Sequence, residues 1–359
     1  MQLLEYFYDR NNELITYHQR KFSIPDNNRV LIYGSPASGK SYLVLDYLMN
    51  FDTEDILYID FDDPKFQFID IMQEDIEGFI ESNSIKILVL DHYEHGYFEY
   101  LPSAQKLIIL SNKFYDYGDE FKVIEVPLLD YEEFFSFQKQ NSERQIFNLF
   151  LRHGTLPQLT TQNMPREQLF QSFIKSHFDK SELKLLSVLA HFNSSTVTTF
   201  QLYNYAKERY KISKDLIYKQ IKEFTQRGII SFIPDAITPS SKKLLFFDFA
   251  LAKYLSLSQS FLKQFDTMIA LSLLKHKIEI KSFGVSGYLT DKQVLILPAP
   301  FESEESFWKK AHSKFAIYKK NGIKKVYIVT IATQYNFWIE SIEFEALPFY
   351  EWVVINDET

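Results

Sequence analysis

The chain has 359 residues, more than a single hydrophobic core usually serves, so two or three domains are expected. Hydrophobic residues make up 46% and charged residues 24%, which excludes an intrinsically disordered chain. The lack of cysteine excludes disulfides, thiolate metal sites and cysteine nucleophiles, and the net charge of −8 argues against a protein that coats nucleic acid indiscriminately.

The charge is unevenly distributed along the chain. Residues 1–150 carry 12 Lys and Arg against 27 Asp and Glu, a net of −15, whereas residues 181–243 carry 10 against 5, a net of +5. The amino terminus lacks a basic start followed by an apolar core, and no stretch of about 18 apolar residues occurs. We therefore expect a cytoplasmic protein that does not enter a membrane.

The first elements in chain order are four short apolar runs: RVLIYG (29–34), ILYIDF (56–61), IKILVLD (85–91) and KLIILSN (106–112). They are nearly continuous rather than alternating, as buried parallel strands are. YLVLDYLMN follows the first run and IMQEDIEGFIES precedes the third, and both have the apolar spacing of a helix. The pattern predicts an α/β layer structure.

Helices are predicted from about residue 131 onward. YEEFFSFQKQ and SERQIFNLFLRHG form a small helical lid, which Gly154 and Pro157 bring to an end, and further helices continue to 232. The last hundred residues return to α/β: a helix near 259–276, strands near 278–283, 286–290 and 293–298, a helix near 304–320 and the strand KKVYIVTI. The predicted domains are 1–160, 161–245 and 246–359.

A glycine-rich turn lies between the first strand and the first helix. It fits the pattern G-x-x-x-x-G-K-[ST] in full, with Gly34, Ser35, Pro36, Ala37, Ser38, Gly39, Lys40 and Ser41. In such a P-loop, backbone N–H groups and the helix amino terminus hold phosphates, Lys40 neutralises them and the Ser41 hydroxyl binds Mg²⁺. Tyr42 follows directly and completes the predicted nucleotide-binding set. ATP and Mg²⁺ are the expected ligands, and a glycine turn without a ligand is the alternative.

A second acid at the end of a neighbouring strand is needed to hold the magnesium ion. Asp91 closes IKILVLD and is predicted to share this role with Ser41, although an aspartate that caps the next turn is the alternative. The following residue is His92, where a glutamate usually polarises the attacking water. A neutral His92 could order a water, and Glu94 and the aspartates of ILYIDFDD are substitute bases. Slow hydrolysis, or switching without turnover, is expected.

Two further groups are candidates for contact with the γ-phosphate. Asn112 ends the fourth strand, where its side chain can sense the phosphate, although a plain strand-end turn is the alternative. The transition state also favours an arginine, and Arg144 and Arg152 on the lid helices are the candidates. The alternative is that both arginines only form ion pairs at the surface.

Several consecutive motifs resemble the predicted AAA-type ATPases of bacteria and archaea, relatives of the archaeal ATPases. They are RVLIYGSPASGKS, LYIDFDDP, VLD, an apolar strand that ends in Ser-Asn, VIEVPLLDYEEFF and FLRHGTLPQ. The resemblance implies an α/β fold class: a P-loop NTPase (AAA-like) parallel sheet with a helical lid, followed by an all-α winged helix and a small α/β restriction-endonuclease-like domain. The sequence departs from the family at His92, for a glutamate, and at Thr155, for a second glycine in the lid.

Residues 183–232 resemble a winged helix, with the segments LKLLSVLAHF, TTFQLYNYAKERY and ISKDLIYKQIKEFTQRGII. Ser213 is a natural N-cap for the last helix, whose basic face predicts contact with DNA phosphates. The DNA-binding candidates are Lys214, Lys219, Lys222 and Arg227. The alternative is a protein-contact module with a solvated basic face.

The last domain lacks the metal-binding acid-x-Lys set of a nuclease. Asp291 alone lies near the strands GYLTDKQ and VLILPAP, so we expect a degenerate domain without cleavage activity. The leading hypothesis is an ATP-binding switch or weak ATPase that contacts DNA or a protein partner. The alternatives are a scaffold protein with structural ATP and, third, an ATP-regulated nuclease. Homo-oligomerisation is left open.

Overall fold

The computed structural model describes residues 2–10, 17–138, 141–161, 165–238, 240–258 and 260–357. The chain divides into two compact units. The first consists of Met1–Leu128 and Gln226–Gly228, and the second of Leu129–Thr225 and Ile229–Thr359. In the described part of the chain, no helix has both the length and the apolarity that a bilayer crossing requires.

The first unit is built on a five-stranded parallel sheet, which confirms the predicted α/β class. Its strands are β1 (Arg29–Tyr33), β2 (Ile56–Asp60), β3 (Ile87–Asp91), β4 (Lys106–Ser111) and β5 (Lys122–Glu125). Their order in the sheet is β2-β3-β4-β1-β5. The four predicted apolar runs are β1 to β4, and β5 is an additional strand at the edge opposite β2. Continuous apolar sequence fits strands that are buried on both faces.

Helices cover this sheet and complete the first unit. They are α1 (Gln2–Asp9), α2 (Lys40–Leu48) and α3 (Gln73–Asn83), with 3-10 turns at Thr53–Asp55 and Pro64–Gln67. Two hydrophobic clusters result, one on each side of the strands. The strand register aligns Tyr33 with Ser111 and Asp60 with Asp91, so the polar residues that end these strands gather at one edge of the sheet.

The second unit begins with helices and a small antiparallel sheet. The helices are α4 (Tyr131–Phe137), α5 (Glu143–His153), α6 (Pro157–Thr161), α7 (Arg166–His177), α8 (Lys180–Phe192), α9 (Thr199–Lys207) and α10 (Lys214–Gln226). The strands β6 (Ser195–Thr196), β7 (Ile230–Pro234) and β8 (Lys242–Phe246) pair in the order β6-β8-β7. This sheet was not predicted, because β6 has two residues and gives no readable alternation.

The remainder of the second unit is the predicted α/β segment with additions. It contains α11 (Phe249–Leu255), α12 (Phe261–Lys275), β9 (Ile280–Phe283), β10 (Gly287–Thr290), β11 (Val294–Pro298), α13 (Glu304–Lys320), β12 (Lys325–Thr330), β13 (Tyr335–Ile339), β14 (Ile342–Pro348) and α14 (Phe349–Asp357). The strands form one mixed sheet in the order β13-β14-β12-β11-β10-β9. The last two strands and α14 extend the predicted order of helix, three strands, helix and strand.

A buried carboxylate connects α5 to α11. Asp248 caps α11 by accepting from Leu251 N at 2.6 Å, and it also accepts from the backbone N and the hydroxyl of Thr155, at 2.5 and 2.8 Å. Gly154 has φ +77°, and a Cβ atom there would collide with the Asp248 carboxylate. Both the left-handed backbone and the close approach therefore require glycine at 154.

A buried ion pair joins β8 to α12. Lys243 Nζ lies 2.7 and 2.9 Å from the two carboxylate oxygens of Asp266, and both side chains are almost fully buried. Asp266 also accepts hydrogen bonds from the hydroxyls of Tyr288, at 2.7 Å, and Ser194. These partners offset the cost of removing the charges from water.

Candidate functional site

The P-loop occupies the turn from β1 into α2, as the sequence predicts. Gly39 precedes the helix with φ +93°, and Ala37 also has a left-handed backbone, with φ +57°. A Cβ at Gly34 would collide with the carbonyl oxygen of Val126. The glycines thus supply a backbone reversal at one end of the loop and a close backbone approach at the other.

Lys40 is the first residue of α2 and its side chain folds back over the loop. Nζ donates to Gly34 O, Ser35 O and Asn112 Oδ1, each at 3.0 Å, and the residue is 5% exposed. Burial lowers the pKa of Lys40 to about 8, against the opposing effect of Asp91. An ammonium group that is held by neutral oxygens in a partly desolvated position is well placed to exchange them for phosphate.

Arg20 holds the loop through a hydrogen bond to its backbone, and the sequence analysis missed this residue. Its guanidinium donates to Ser38 O at 2.6 Å and to Pro127 O at 2.9 Å, and the side chain is buried. Two carbonyls that are distant in sequence are therefore held by one planar group. No motif surrounds Arg20, so the residue type alone carries no signal of this role.

Asp91 and Ser41 converge on the hydroxyl of Tyr58. Asp91 is 2% exposed and accepts from Tyr58 OH at 2.5 Å and from His92 N at 2.8 Å. Burial, Asp91 and Asp60 raise the pKa of Tyr58, and a hydrogen bond with the Ser41 side chain opposes them. A hydroxyl and a carboxylate that meet beside the P-loop are hard oxygen donors of the kind that Mg²⁺ prefers, so these residues fit the ion.

His92 takes part in an ion-pair cluster at the ends of β2 and β3. Its Nδ1 lies 2.8 Å from Asp60 Oδ1 and 3.6 Å from Asp91 Oδ1, and its Nε2 lies 3.7 Å from Asp62 Oδ2. Burial lowers the pKa of His92, but the hydrogen bond with Asp60 and the three carboxylate charges outweigh it and raise the pKa to about 9. The ring is therefore charged at neutral pH, unlike the neutral imidazole that the sequence analysis considered.

The same cluster has the spacing of a metal site. Asp60, Asp91 and His92 offer ligand atoms that all lie within 4.8 Å of one another. Without an ion, the imidazole pairs as a cation with the carboxylates of Asp60 and Asp91. His92 also has φ +53°, a left-handed conformation that brings its backbone N–H to Asp91.

The remaining predicted nucleotide-site residues have different surroundings. Asn112 follows β4, which lies between β1 and β3, and its side chain accepts from Lys40. Glu94 is 72% exposed and lies 3.7 Å from Lys113 Nζ, and Tyr42 is exposed in the first turn of α2. Arg152 and Arg144 are exposed on α5 in the second unit. In the first unit, the geometry brings together Lys40, Asn112, Ser41, Asp91 and His92.

The predicted DNA-binding residues do not all share one element. Lys214, Lys219 and Lys222 are exposed on α10. Arg227 follows the end of this helix and belongs, with its two neighbours, to the first unit. Asp291 is exposed in the turn between β10 and β11, and the neighbouring strand β11 is entirely apolar with a terminal proline.

Comparisons with known proteins give remote similarities. No protein-family profile and no curated protein matches the sequence. A Walker-type ATPase of Pyrococcus abyssi has a TM-score of 0.42 and 12% identity, with 64% of this chain and 91% of that chain covered. A signal-transduction ATPase with a tetratricopeptide-repeat sensor from Pyrococcus horikoshii has a TM-score of 0.27 and 15% identity, with 70% and 47% covered. The Orc1 protein of Aeropyrum pernix, in complex with DNA, has a TM-score of 0.29 and 10% identity, with 64% and 87% covered. With TM-scores below 0.5, these similarities do not identify the family of the chain.

Proposed function

We propose that the chain binds ATP with Mg²⁺ at the loop of residues 34–41. The observation that carries the proposal is the position of Lys40, which is buried with its ammonium group on two loop carbonyls and Asn112. This group is desolvated and positively charged beside the amino terminus of α2, where a polyphosphate gains both charge neutralisation and hydrogen bonds. The loop backbone and α2 would hold the phosphates.

Magnesium would be held by Ser41 and Asp91, which supply the hard oxygen ligands, and it would neutralise charge on the β- and γ-phosphates. The protein contributes the orientation of both ligands through Tyr58. Because Tyr58 donates to one Asp91 oxygen and His92 N donates to the other, the carboxylate has little rotational freedom. Such fixed orientation of a ligand strengthens binding of the ion.

We further propose that turnover is slow or absent, so that the nucleotide acts as a switch. The His92 ring already pairs with Asp60 at 2.8 Å, which leaves it poorly placed to take a proton from water, and Glu94 is exposed and lies near Lys113. A scaffold with permanently bound ATP is the alternative, and it differs from a switch in whether bound nucleotide exchanges.

The binding proposal is tested with Lys40→Ala in a calorimetric titration of the full chain with Mg·ATP. Loss of the buried ammonium is expected to weaken binding roughly 100-fold or more. The matched control is Lys86→Ala, because Lys86 precedes β3 at the opposite end of the sheet and pairs with Asp55. Undiminished affinity of Lys40→Ala would remove the basis of the proposal.

The turnover proposal is tested by phosphate release. In His92→Glu alone, the new carboxylate would repel that of Asp60, which now lies 2.8 Å from the His92 ring. The substitution is therefore combined with Asp60→Asn. His92→Gln in the same background is the control without a base. A gain of roughly 100-fold with glutamate but not glutamine supports a missing base. If the wild-type protein already hydrolyses ATP and His92→Gln abolishes that activity, the proposal is contradicted.

The segment from α8 to β8 has the element order of a winged helix, and we propose that the exposed lysines of α10 contact DNA. The test is fluorescence anisotropy with a labelled duplex over a salt series, using serine at Lys214, Lys219 and Lys222. Loss of three phosphate contacts is expected to reduce the salt slope by about three. The control replaces three exposed lysines of α13 with serine: Lys309, Lys314 and Lys320. Equal effects of both triple variants would contradict the DNA contact and favour a protein partner for this face.

A further inference from the structure

A histidine and two aspartates converge at the carboxyl ends of β2 and β3. Asp60 and Asp91 are register partners at the ends of these adjacent strands, and His92 follows Asp91 directly. Nδ1 of His92 lies 2.8 Å from Asp60 Oδ1 and 3.6 Å from Asp91 Oδ1. One ligand atom from each residue lies within 4.8 Å of the others. The proposed magnesium ligands include Asp91, but neither Asp60 nor His92.

The separations in this cluster suit a metal ion. Bonds of about 2.1 Å from an ion to nitrogen and oxygen place neighbouring ligands of a tetrahedron or an octahedron about 3.0–3.4 Å apart. The two distances from His92 Nδ1 fall on either side of this range. Small side-chain shifts would therefore admit an ion, and the strand ends need not be rebuilt.

The backbone of His92 brings the residue onto the carboxylates. Its φ of +53° is a left-handed conformation, which costs free energy in a residue other than glycine. In this conformation the His92 N–H donates to Asp91 Oδ1 at 2.8 Å, while the ring contacts Asp60. Backbone strain of this kind is concentrated at functional sites, so the conformation is a second observation that points to a ligand.

Neighbouring groups hold the ligand atoms in position. Tyr58 OH donates to Asp91 Oδ2 at 2.5 Å, so Oδ1 is the oxygen that faces His92. The second ring nitrogen of His92, Nε2, lies 3.7 Å from Asp62 Oδ2. Histidine ligands of metal ions usually direct their second ring nitrogen to a carboxylate or carbonyl, which fixes the tautomer and the ring orientation. Nδ1 is therefore the nitrogen that is available to an ion.

An ion can reach this cluster from solvent. The side chains of His92 and Asp60 are 29% and 36% exposed. A cation meets the carboxylates of Asp60 and Asp91 directly and that of Asp62 beyond the ring. The ion takes the place of the Nδ1 proton, which is released to solvent. Water can complete the coordination on the exposed side.

We propose that Asp60, Asp91 and His92 bind a divalent first-row transition-metal ion. Imidazole nitrogen is a good ligand for zinc, iron, nickel and copper, whereas Mg²⁺ and Ca²⁺ prefer ligand sets made of oxygen. One imidazole with two carboxylates therefore selects a transition ion over magnesium. Binding of the ion needs no nucleotide, so the proposal does not rest on the proposed ATP site.

The test is a titration of the full chain with Co²⁺ and with Zn²⁺ in the absence of nucleotide. Co²⁺ reports its own coordination by visible absorption, and Zn²⁺ binding is measured by calorimetry. We expect saturable binding of both ions, and retention of Co²⁺ in a roughly 100-fold excess of Mg²⁺, because the imidazole favours the transition ion. No saturable binding of either ion, or displacement of Co²⁺ by this excess of Mg²⁺, would overturn the proposal.

Variants assign the ion to these residues. His92→Gln and Asp60→Asn each remove one direct ligand and keep a side chain of similar size. Loss of an outer partner alone costs roughly 10–100-fold in metal affinity, so each variant is expected to weaken Zn²⁺ by about 100-fold or more. The matched controls are His95→Gln, at an exposed histidine of the same loop that packs against Tyr115, and Asp70→Asn, at an exposed aspartate. Equal losses in the controls would show adventitious binding by surface side chains and overturn the proposal.

A second measurement uses the wild-type chain itself. The ring protons of a histidine that binds Co²⁺ shift far outside their ordinary range in the NMR spectrum. We expect this shift for His92 and not for His95. If other histidines shift and His92 does not, the ion lies elsewhere and the proposal is overturned. These results stand apart from the test of ATP binding, because no nucleotide is present.

Discussion

Replacing Asp60 with asparagine is expected to lower the pKa of His92 from about 9 toward its ordinary value of 6.5. The present shift corresponds to about 3 kcal/mol of preference for the charged ring, at about 1.4 kcal/mol per pKa unit. Solvent reaches 29% of the side chain and screens part of this energy. Asp62 and Asp91 keep some of the shift, because their charges remain in the variant.

The direction of the linked stability change follows from the raised pKa. The charged ring stabilises the fold fully below pH 6.5, and this contribution is lost as the pH rises through about 9. In the Asp60→Asn variant most of the loss occurs at lower pH. The stability advantage of the wild-type protein over the variant should therefore be largest at and below about pH 6.5, and it should shrink as the pH rises toward 9.

The assay is an NMR titration of the histidine ring signals in the full chain. The chain has 8 histidines, and the signal of His92 is identified by its absence in a His92→Gln variant. Asp70→Asn, an exposed change in the same unit, is the charge-matched control. If His92 titrates at or below 6.5 in the wild-type protein, or if Asp60→Asn leaves its pKa unchanged, the ion-pair interpretation is refuted.

Two further predictions concern the stability of the fold. Gly154→Ala is expected to lower the free energy of unfolding in urea by about 2–4 kcal/mol, because the new Cβ meets Asp248 and the backbone has φ +77°. Gly78→Ala, in open space on α3, is expected to raise it by up to about 1 kcal/mol, and equal effects of the two changes would contradict this reasoning. Lys243→Met is expected to cost about 3–5 kcal/mol by leaving Asp266 buried without its counter-ion, so an unchanged thermal midpoint would refute the importance of this pair.

The first unit was largely predictable because its signals are local. Each of the strands β1 to β4 is a continuous apolar run, and the motif that follows β1 specifies its own turn and helix. The sequence also predicted Asp91 at the end of its strand. It did not reveal that Asp91 aligns with Asp60 of the neighbouring strand. Strand adjacency depends on contacts between distant residues, and apolar patterning alone does not encode which strands are neighbours.

The parts that the sequence analysis missed depend on such distant contacts. The charge of His92 arises from carboxylates of two strands, so an isolated histidine gave no reason to expect an elevated pKa. Strand β13 has the sequence YNFWI, which does not by itself predict a strand. It forms by pairing with β14. Arg20 acts through two carbonyl groups, and no residue type near it reveals their position.

The hydrogen bonds of Arg20 have a mechanical consequence. The first unit's main segment ends at Leu128, one residue after Pro127, whose carbonyl shares the guanidinium with Ser38 of the loop. If Ser38 moves when a ligand enters the loop, the chain at Pro127 must move with it, or one of the two hydrogen bonds of Arg20 must break. The exit of the polypeptide from the first unit is thus tethered to the loop, and movement in one has a direct route to the other through a single rigid group.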